Sequence, residues 1–144
     1  MAPVREVQVT FDCVSPRAVG RFWCEALGYE PTAPPDGSSG EGDADASRPA
    51  DVHDGWFAAS DPTGAGPRLY FQRVPEGKVV KNRVHLDVRV ATGLTGERRV
   101  AALQAEADRL VALGASRLRL LEADDENEAC LVMQDVEGNE FCLD

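Results

Sequence analysis

The chain has 144 residues, of which 43% are hydrophobic and 28% charged, and its formal net charge is −10. This length and composition are typical of one globular domain, 1–144, and exclude an intrinsically disordered chain. The negative charge argues against a nucleic-acid-binding protein, which needs a basic surface along the phosphates. Since no apolar run approaches the ~20 residues that span a bilayer, and the first residues do not resemble a secretion signal, we expect a cytoplasmic protein without a membrane partner.

Most of the negative charge lies in two short segments, residues 34–51 and 122–128. The first holds five acidic residues and one basic residue, and the second holds five acidic residues and no basic one. Clustered acidic residues in loops are usually solvated surface. They do not by themselves predict a cationic ligand.

The four cysteines are widely spaced along the sequence and form no Cys-x-x-Cys pair; they are Cys13, Cys24, Cys130 and Cys142. Zinc ribbons and dithiol redox motifs need that close spacing. In a reducing compartment we therefore expect four thiols.

The first predicted elements are a strand and a helix. Apolar and polar residues alternate over 7–13, which predicts a strand with one buried face. Ser15 and Pro16 form an N-cap and first-turn pair, and an apolar stripe follows as far as Gly28. This pattern predicts an amphipathic helix that ends at the glycine.

A loop and a hairpin follow the helix. Residues 29–32 predict a short strand, and residues 34–51 are so rich in Pro, Gly, Ser and Asp that we expect a loop. Residues 55–60 and 68–74 predict two strands of a hairpin, because residues 61–64 form the turn sequence Asp-Pro-Thr-Gly.

The second half repeats this order. Residues 84–90 alternate as a strand does, with Val84, Leu86 and Val88 expected to pack on the helices. An apolar stripe that ends at Gly114 then predicts a helix; it consists of Val100, Leu103, Ala107, Leu110 and Val111.

Two short stretches of the second half match stretches of the first. Residues 112–116 are similar to 26–30, and residues 135–138 are similar to 61–64. We therefore predict an internal duplication of a strand-helix-strand-strand-strand module. The first module spans 1–76, with 34–51 as an insertion, and the second spans 82–144.

Several segments of the sequence resemble the glyoxalase-like branch of the vicinal oxygen chelate superfamily, which also includes bleomycin-resistance proteins and extradiol dioxygenases. The segments are 11–16, 21–23, 26–29, 69–76, 81–87 and 134–142. The resemblance implies an α+β fold of two tandem βαβββ modules, whose curved mixed sheets form a cavity, commonly within a homodimer.

The resemblance also implies four metal-ligand positions, near the start of the first strand and near the end of the last strand of each module. They correspond to Gln8, Gln72, His85 and Cys142. Some glyoxalases similarly use a glutamine at the first position, but they carry glutamates where this chain has Gln72 and Cys142. Loss of both carboxylates removes charge that holds a hard divalent ion and a base that moves a proton. We therefore expect either no cofactor or one divalent ion: Zn, Ni, Mn or Fe.

Alternation places the mapped residues on one face of the predicted strands, opposite the apolar side chains. That face is too polar for a packed core, so we expect it to line a hydrated ligand-binding cavity. The expected cavity residues are Gln8, Thr10, Trp56, Tyr70, Gln72, His85, Asp87 and Cys142. Alternation does not decide whether Gln8 or Thr10 lies beside His85.

Four further residues are candidates for a catalytic base or for an aromatic wall. Glu140 and Asp12 are carboxylates that could replace a missing catalytic base, and Trp56 with Tyr70 could form an aromatic wall. The pair 98–99 and the cluster 126–128 are interpreted as solvated surface.

The degraded ligand set favours a protein that binds or sequesters a small organic molecule. Because acidic segments near a cavity attract cations, a bleomycin-like glycopeptide is one candidate ligand. The alternative is a divalent-metal-dependent lyase or isomerase of glyoxalase type, which would use Gln8, His85 and substitute groups.

Overall fold

The computed structural model describes residues 1–32 and 55–144, so the predicted loop 34–51 lies outside the described residues. The described residues form an α+β structure in which a strand-helix-strand-strand-strand order occurs twice. The elements are β1 (Gln8–Cys13), α1 (Pro16–Leu27), β2 (Glu30–Pro31), β3 (Trp56–Ser60), β4 (Arg68–Arg73), β5 (Asp87–Val88), α2 (Gly96–Ala112), β6 (Ser116–Leu121), β7 (Cys130–Gln134) and β8 (Glu140–Leu143). The predicted fold class is confirmed.

The first compact unit is Met1–Gly77. Its described strands form an open mixed sheet in the order β1-β4-β3-β2, in which β1 runs parallel to β4 and the other pairs are antiparallel. Helix α1 contacts all four strands and buries Val19 and Trp23. Leu69 and Phe71 of β4 are also buried, so the apolar side of this sheet forms the core of the unit.

Helix α1 begins and ends where the sequence predicts. Ser15 is the N-cap residue and Pro16 occupies the first turn, where its missing N–H costs no hydrogen bond. Gly28 ends the helix with a φ of 69°, a left-handed conformation that favours glycine.

The second compact unit is Lys78–Asp144. Its described strands form an open mixed sheet in the order β5-β8-β7-β6, with β5 parallel to β8. Helix α2 contacts β6, β7 and β8. Apolar side chains of the helix and of β7 and β8 are fully buried in this unit; they are Leu103, Ala107, Leu110, Met133, Phe141 and Leu143.

The edge strand β6 contains a bulge. Its register with β7 shifts between Arg117 and Arg119, and the extra residue, Leu118, is 48% exposed. The bulge reverses side-chain alternation locally, so that Arg119 pairs with Val132. None of the described helices is long and apolar enough to cross a bilayer.

The predicted packing of Val84 on the helices is wrong. Strand β5 comprises only Asp87–Val88, and Val84 is 80% exposed. The side chain of Asn82 takes the place of a regular ladder, because its Oδ1 accepts the Glu140 N–H at 2.8 Å and its Nδ2 donates to the Glu140 carbonyl at 3.2 Å. A chain held through a side chain need not keep the alternation of a strand.

The interpretation of the pair 98–99 as solvated surface is wrong for Arg99, because its side chain is buried. Its Nε donates to the Ala129 carbonyl at 2.7 Å, its Nη1 donates to the Ala91 carbonyl at 3.2 Å, and its Nη2 pairs with the Asp144 carboxylate. Arg99 precedes Leu103 by four residues, so helical spacing brings it onto the buried side of α2.

Candidate functional site

The polar side of the second sheet lines a cavity of about 650 Å³. One row of paired residues crosses the sheet from edge to edge, and it consists of Asp87, Cys142, Val132 and Arg119. All four line the cavity, because paired residues of neighbouring strands point to the same side. His85 and Glu140 also line it, each two residues from a member of the row.

His85, Asp87 and Cys142 come together where β5 meets β8. Their imidazole nitrogen, carboxylate oxygen and sulfur all lie within 4.8 Å of one another. His85 Nε2 is 3.4 Å from Asp87 Oδ1. The pKa of the Cys142 thiol is raised to about 11, mainly by burial and to a smaller extent by the neighbouring Cys130 and Asp87. The thiol is therefore protonated at neutral pH and hydrogen-bonds with Cys130 and Asp87.

Residues of the acidic segment 122–128 line the cavity near the turn that joins β6 to β7. They are Glu122, Asp124 and Glu128. Asp124 Oδ1 accepts backbone N–H groups of Glu126 at 2.9 Å and Asn127 at 2.8 Å, and these bonds lower the pKa of Asp124. The segment is solvent-exposed as predicted, yet it also supplies negative charge to the cavity.

Glu140, one of the two predicted substitute bases, is held as a carboxylate. Burial alone would raise its pKa, but the Asn82 N–H at 3.1 Å and the Lys78 ammonium at 3.0 Å outweigh burial and bring the pKa to about 2. A carboxylate with so low a pKa is a weak base at neutral pH. Its bonds instead fix the chain before β5 to the start of β8.

The polar side of the first sheet carries the remaining predicted residues. Gln8 Oε1 accepts a hydrogen bond from Arg68, and Gln8 Nε2 lies 3.4 Å from Thr10 Oγ1. Gln72 Nε2 donates to Asp12 Oδ1 at 2.8 Å. The Gln8–Arg68 and Gln72–Asp12 hydrogen bonds thus cross the parallel pair β1–β4.

Trp56 and Tyr70 form the predicted aromatic pair within the first unit. Their rings are stacked with centroids 5.8 Å apart and planes 11° apart. The Arg68 guanidinium lies 5.5 Å from the centre of the Tyr70 ring. The aromatic pair therefore lies beside a positive charge.

The structure therefore brings together His85, Asp87 and Cys142 in one unit. It pairs Asp12 with Gln72, and Trp56 with Tyr70, in the other. The predicted convergence of Gln8 or Thr10 and Gln72 with His85 and Cys142 stays a prediction. All four cysteines are thiols, as expected.

Sequence reasoning missed several cavity residues; they include Lys81, Arg119, Cys130 and Asp144. Alternation from Cys142 could have assigned Asp144 to the cavity side. The register of β7 and the bulge in β6 have no comparable signal in the sequence, so Cys130 and Arg119 could not be assigned.

The ligand set that the resemblance implies does not suit a hard divalent ion. Gln8 and Gln72 carry no charge, and their amide groups already bond to Arg68 and Asp12. The Cys142 thiol, with a pKa of about 11, does not replace a carboxylate. Hard ions prefer charged oxygen ligands.

Comparisons with known proteins agree with the fold. The family model described as a glyoxalase-like domain matches residues 8–143. A comparison with curated proteins gives no significant match.

Solved structures extend this similarity. An enzyme of the glyoxalase/bleomycin resistance/dioxygenase family from Burkholderia phytofirmans has a TM-score of 0.62 at 12% identity, with 94% of each chain covered. A glyoxalase-related enzyme from Fulvimarina pelagi has a TM-score of 0.60 at 15% identity, with 96% of this chain and 86% of that chain covered.

The fosfomycin resistance protein FosX from Listeria monocytogenes, in complex with Mn(II) and 1S,2S-dihydroxypropylphosphonic acid, has a TM-score of 0.62 at 10% identity. The match covers 99% of this chain and 89% of that chain. At these identities the similarity concerns the fold alone.

Proposed function

This chain belongs to the glyoxalase-like domain family, and we propose that it binds a small, positively charged organic molecule in the cavity of its second unit. In this proposal the protein holds its ligand rather than converting it by the metal chemistry of glyoxalases. Binding modules and enzymes share many folds, so the argument depends on the site.

The charge of the cavity carries the proposal. Among the described residues, six carboxylates and two basic side chains line it. Two of the carboxylates are neutralised from outside the lining, because Glu140 pairs with Lys78 and Asp144 pairs with Arg89 and Arg99. The other four outnumber the two basic residues of the lining; they are Asp87, Glu122, Asp124 and Glu128. A cavity of this sign concentrates cations and repels anions.

The size of the cavity agrees with a small-molecule site. Its volume of about 650 Å³ lies within the ~300–1,000 Å³ that is typical of ligand pockets. Apolar side chains such as Leu121 and Val132 line it together with the charged residues. The lining can therefore bury the hydrocarbon of a ligand while its carboxylates orient a cationic group.

The same charge argues against an anionic substrate. The phosphonate named with the Listeria FosX structure is an anion. In the cavity of this chain, Glu122, Asp124 and Glu128 would repel such a group. We therefore propose that fosfomycin-type phosphonates are not ligands.

A metal-dependent lyase or isomerase is the second candidate function. The grouping of His85, Asp87 and Cys142 favours it, since imidazole, carboxylate and thiolate are all metal ligands. A divalent ion bound there would polarise substrate oxygens. Glu140 contributes no base to this candidate, because its pKa is about 2.

Calorimetric titration of the full chain tests the binding proposal, with bleomycin as the cationic probe and fosfomycin as the anionic one. We expect bleomycin to bind, to bind more weakly as salt is raised, and fosfomycin not to bind. Equal binding of both probes, or bleomycin binding that is insensitive to salt, would contradict the proposal. If neither binds, a panel of small amines and guanidines takes the place of bleomycin, and failure of that panel rejects a cation site.

A matched pair of variants tests whether the carboxylates that line the cavity attract the ligand. Glu128→Gln removes a carboxylate from the lining, whereas Asp125→Asn removes one from the same segment outside the lining. We expect about a tenfold loss of affinity for the first, equivalent to roughly 1.4 kcal/mol, and little change for the second. Equal losses would mean that long-range charge, and not this cavity, attracts the ligand.

We further propose that the protein is cytoplasmic and that, as the family resemblance implies, it is a homodimer. Light scattering on the purified chain tests its oligomeric state. A monomer at all concentrations would contradict the dimer, without affecting the cavity proposal.

A further inference from the structure

Two arginines lie two residues apart on β6 but face opposite sides of the second sheet. In a regular strand, residues two apart share a side. The bulge at Leu118 breaks that rule, because Arg117 pairs with Met133 and Arg119 pairs with Val132. Met133 is buried in the core, whereas Val132 lines the cavity. The bulge therefore turns Arg119, but not Arg117, towards the cavity.

The two arginines also differ in their partners. Arg117 donates to the Asp108 carboxylate of α2. The Arg119 side chain forms no hydrogen bond or ion pair with any residue that the structure describes, although six carboxylates line the same cavity. Lys81, the other basic residue of the lining, donates to the Asn82 carbonyl at 3.1 Å. Among the described lining residues, Arg119 is thus the cation whose donors remain free for a ligand.

The chemistry of the guanidinium indicates which ligand group it receives. Its donors form a planar fork, which matches a carboxylate with two parallel hydrogen bonds. We propose that Arg119 binds the carboxylate of an organic ligand whose basic group is held by the carboxylates of the same cavity. This inference rests on the proposed function and narrows its ligand class to molecules with both a basic group and a carboxylate, such as basic amino acids.

The row of paired residues that crosses the sheet separates the two charges. Arg119 lies at the β6 end of the row and Asp87 at the β5 end, with Val132 and Cys142 between them. Three inter-strand spacings of ~4.8 Å place the two ends roughly 14 Å apart. The long side chain of Arg119 shortens the distance that a ligand must cover, and the Asp87 side chain is 53% exposed and accessible. An elongated molecule with opposite charges at its ends therefore fits this row.

This ligand class is compatible with the negative charge of the cavity. A simple anion meets the excess of carboxylates in the lining and is repelled. A basic amino acid carries a net positive charge, so it is attracted as a whole while its carboxylate reaches Arg119. In this arrangement the acidic residues attract cations in general, and Arg119 selects those cations that also carry a carboxylate.

L-Arginine and L-argininamide are matched probes, because the amide replaces the carboxylate and leaves the rest of the molecule unchanged. At about pH 6, where α-amino groups are protonated, the amide carries the larger positive charge, so attraction by charge alone favours it. In calorimetric titrations of the full chain, we expect arginine to bind at least ~10-fold more tightly than argininamide. Equal or tighter binding of the amide would overturn the role of Arg119 and leave the cation site intact. If neither probe binds, this inference fails, and the proposed function fails with it only if the panel of amines and guanidines also fails.

Variants of the two arginines assign the preference to one side of β6. Arg119→Gln should weaken arginine binding at least ~10-fold and leave argininamide binding unchanged or tighter, because the cavity loses a positive charge. Arg117→Gln removes the same charge from the same strand, outside the lining, and should leave the preference for arginine unchanged. A preference that survives Arg119→Gln, or that is lost equally in both variants, would overturn the proposal.

Arg119→Lys separates the charge of this contact from its geometry. Lysine keeps the positive charge but lacks the planar fork, so the variant should retain a smaller preference for arginine over its amide than the unaltered chain has. Because Arg119 is exposed, circular dichroism of both variants at this position should match that of the unaltered chain. A preference in Arg119→Lys no larger than that in Arg119→Gln would contradict a charged contact with the carboxylate.

Discussion

The two sheets have the same strand topology, but the side chains on their polar sides differ in chemistry. On the first sheet, Gln8 bonds to Arg68 and Gln72 bonds to Asp12, so polar side chains satisfy one another across β1 and β4. On the second sheet, carboxylates, thiols and an imidazole line a cavity of about 650 Å³. The two units therefore share an element order and a strand order but differ in the side chains on the polar side of their sheets.

The largest expected effect concerns the buried arginine that supports the second sheet. Arg99→Leu should lower the free energy of unfolding by about 3 kcal/mol, because it leaves the Ala129 carbonyl without its Arg99 donor and removes one partner each from the Ala91 carbonyl and the Asp144 carboxylate. Urea denaturation measures the change. The neighbouring exposed residue provides the control, and Arg98→Leu should change stability by less than ~0.5 kcal/mol.

A loss of under 1 kcal/mol for Arg99→Leu would mean that the second sheet does not depend on this buried cation.

A second, smaller effect concerns the carboxylate that ties the start of β8 to the chain before β5. Glu140→Gln should cost about 1–3 kcal/mol at neutral pH, because the Lys78 ammonium loses its charged partner. The pKa of Glu140 is lowered from 4.5 to about 2. Its contribution is therefore complete above pH ~4.5 and is lost as the pH falls through about 2.

Denaturation at several pH values distinguishes this contribution from a general acid effect. The variant should lose less stability than the unaltered chain between pH 5 and pH 2. Glu97→Gln, an exposed change in the first turn of α2, should leave that dependence intact. Parallel curves for all three proteins would contradict the role of Glu140.

The smallest expected effect sharpens the contrast between the sheets. Gln72→Ala removes the hydrogen bond to Asp12, an exposed interaction, and should cost about 0.5–1 kcal/mol. If ligand binding belongs to the second unit, calorimetry should find bleomycin affinity unchanged. A clear loss of affinity would instead make the first sheet part of the ligand site.

The sequence predicts elements well where one rule determines them. Alternation identifies β1, and the Ser15, Pro16 and Gly28 signals give both ends of α1 within a residue. The same rule fails at Val84, where a side-chain contact from Asn82 replaces the ladder. In α2, helical spacing is consistent with a buried Arg99, but the sequence does not show that buried carbonyl groups lie there to accept its hydrogen bonds.

The site was predictable only in part, because proximity across strands depends on register. Alternation predicts that His85, Asp87 and Cys142 lie on the polar side of their strands. Asp87 pairs with Cys142 in β5–β8, and His85, two residues before Asp87, lies close to both. Cys130 contacts Cys142 only because β7 pairs with β8 in one particular register. Nothing in the spacing of the two cysteines indicates that contact.

The bulge at Leu118 has a consequence beyond the orientation of Arg119. Strand β6 ends its sheet, and a regular strand in that position would offer its outer N–H and C=O groups as a template for another chain. The irregular register between Arg117 and Arg119 interrupts that template and twists it. We therefore expect this edge of the second unit to be a poorer template for the addition of strands from other chains than a regular edge strand would be.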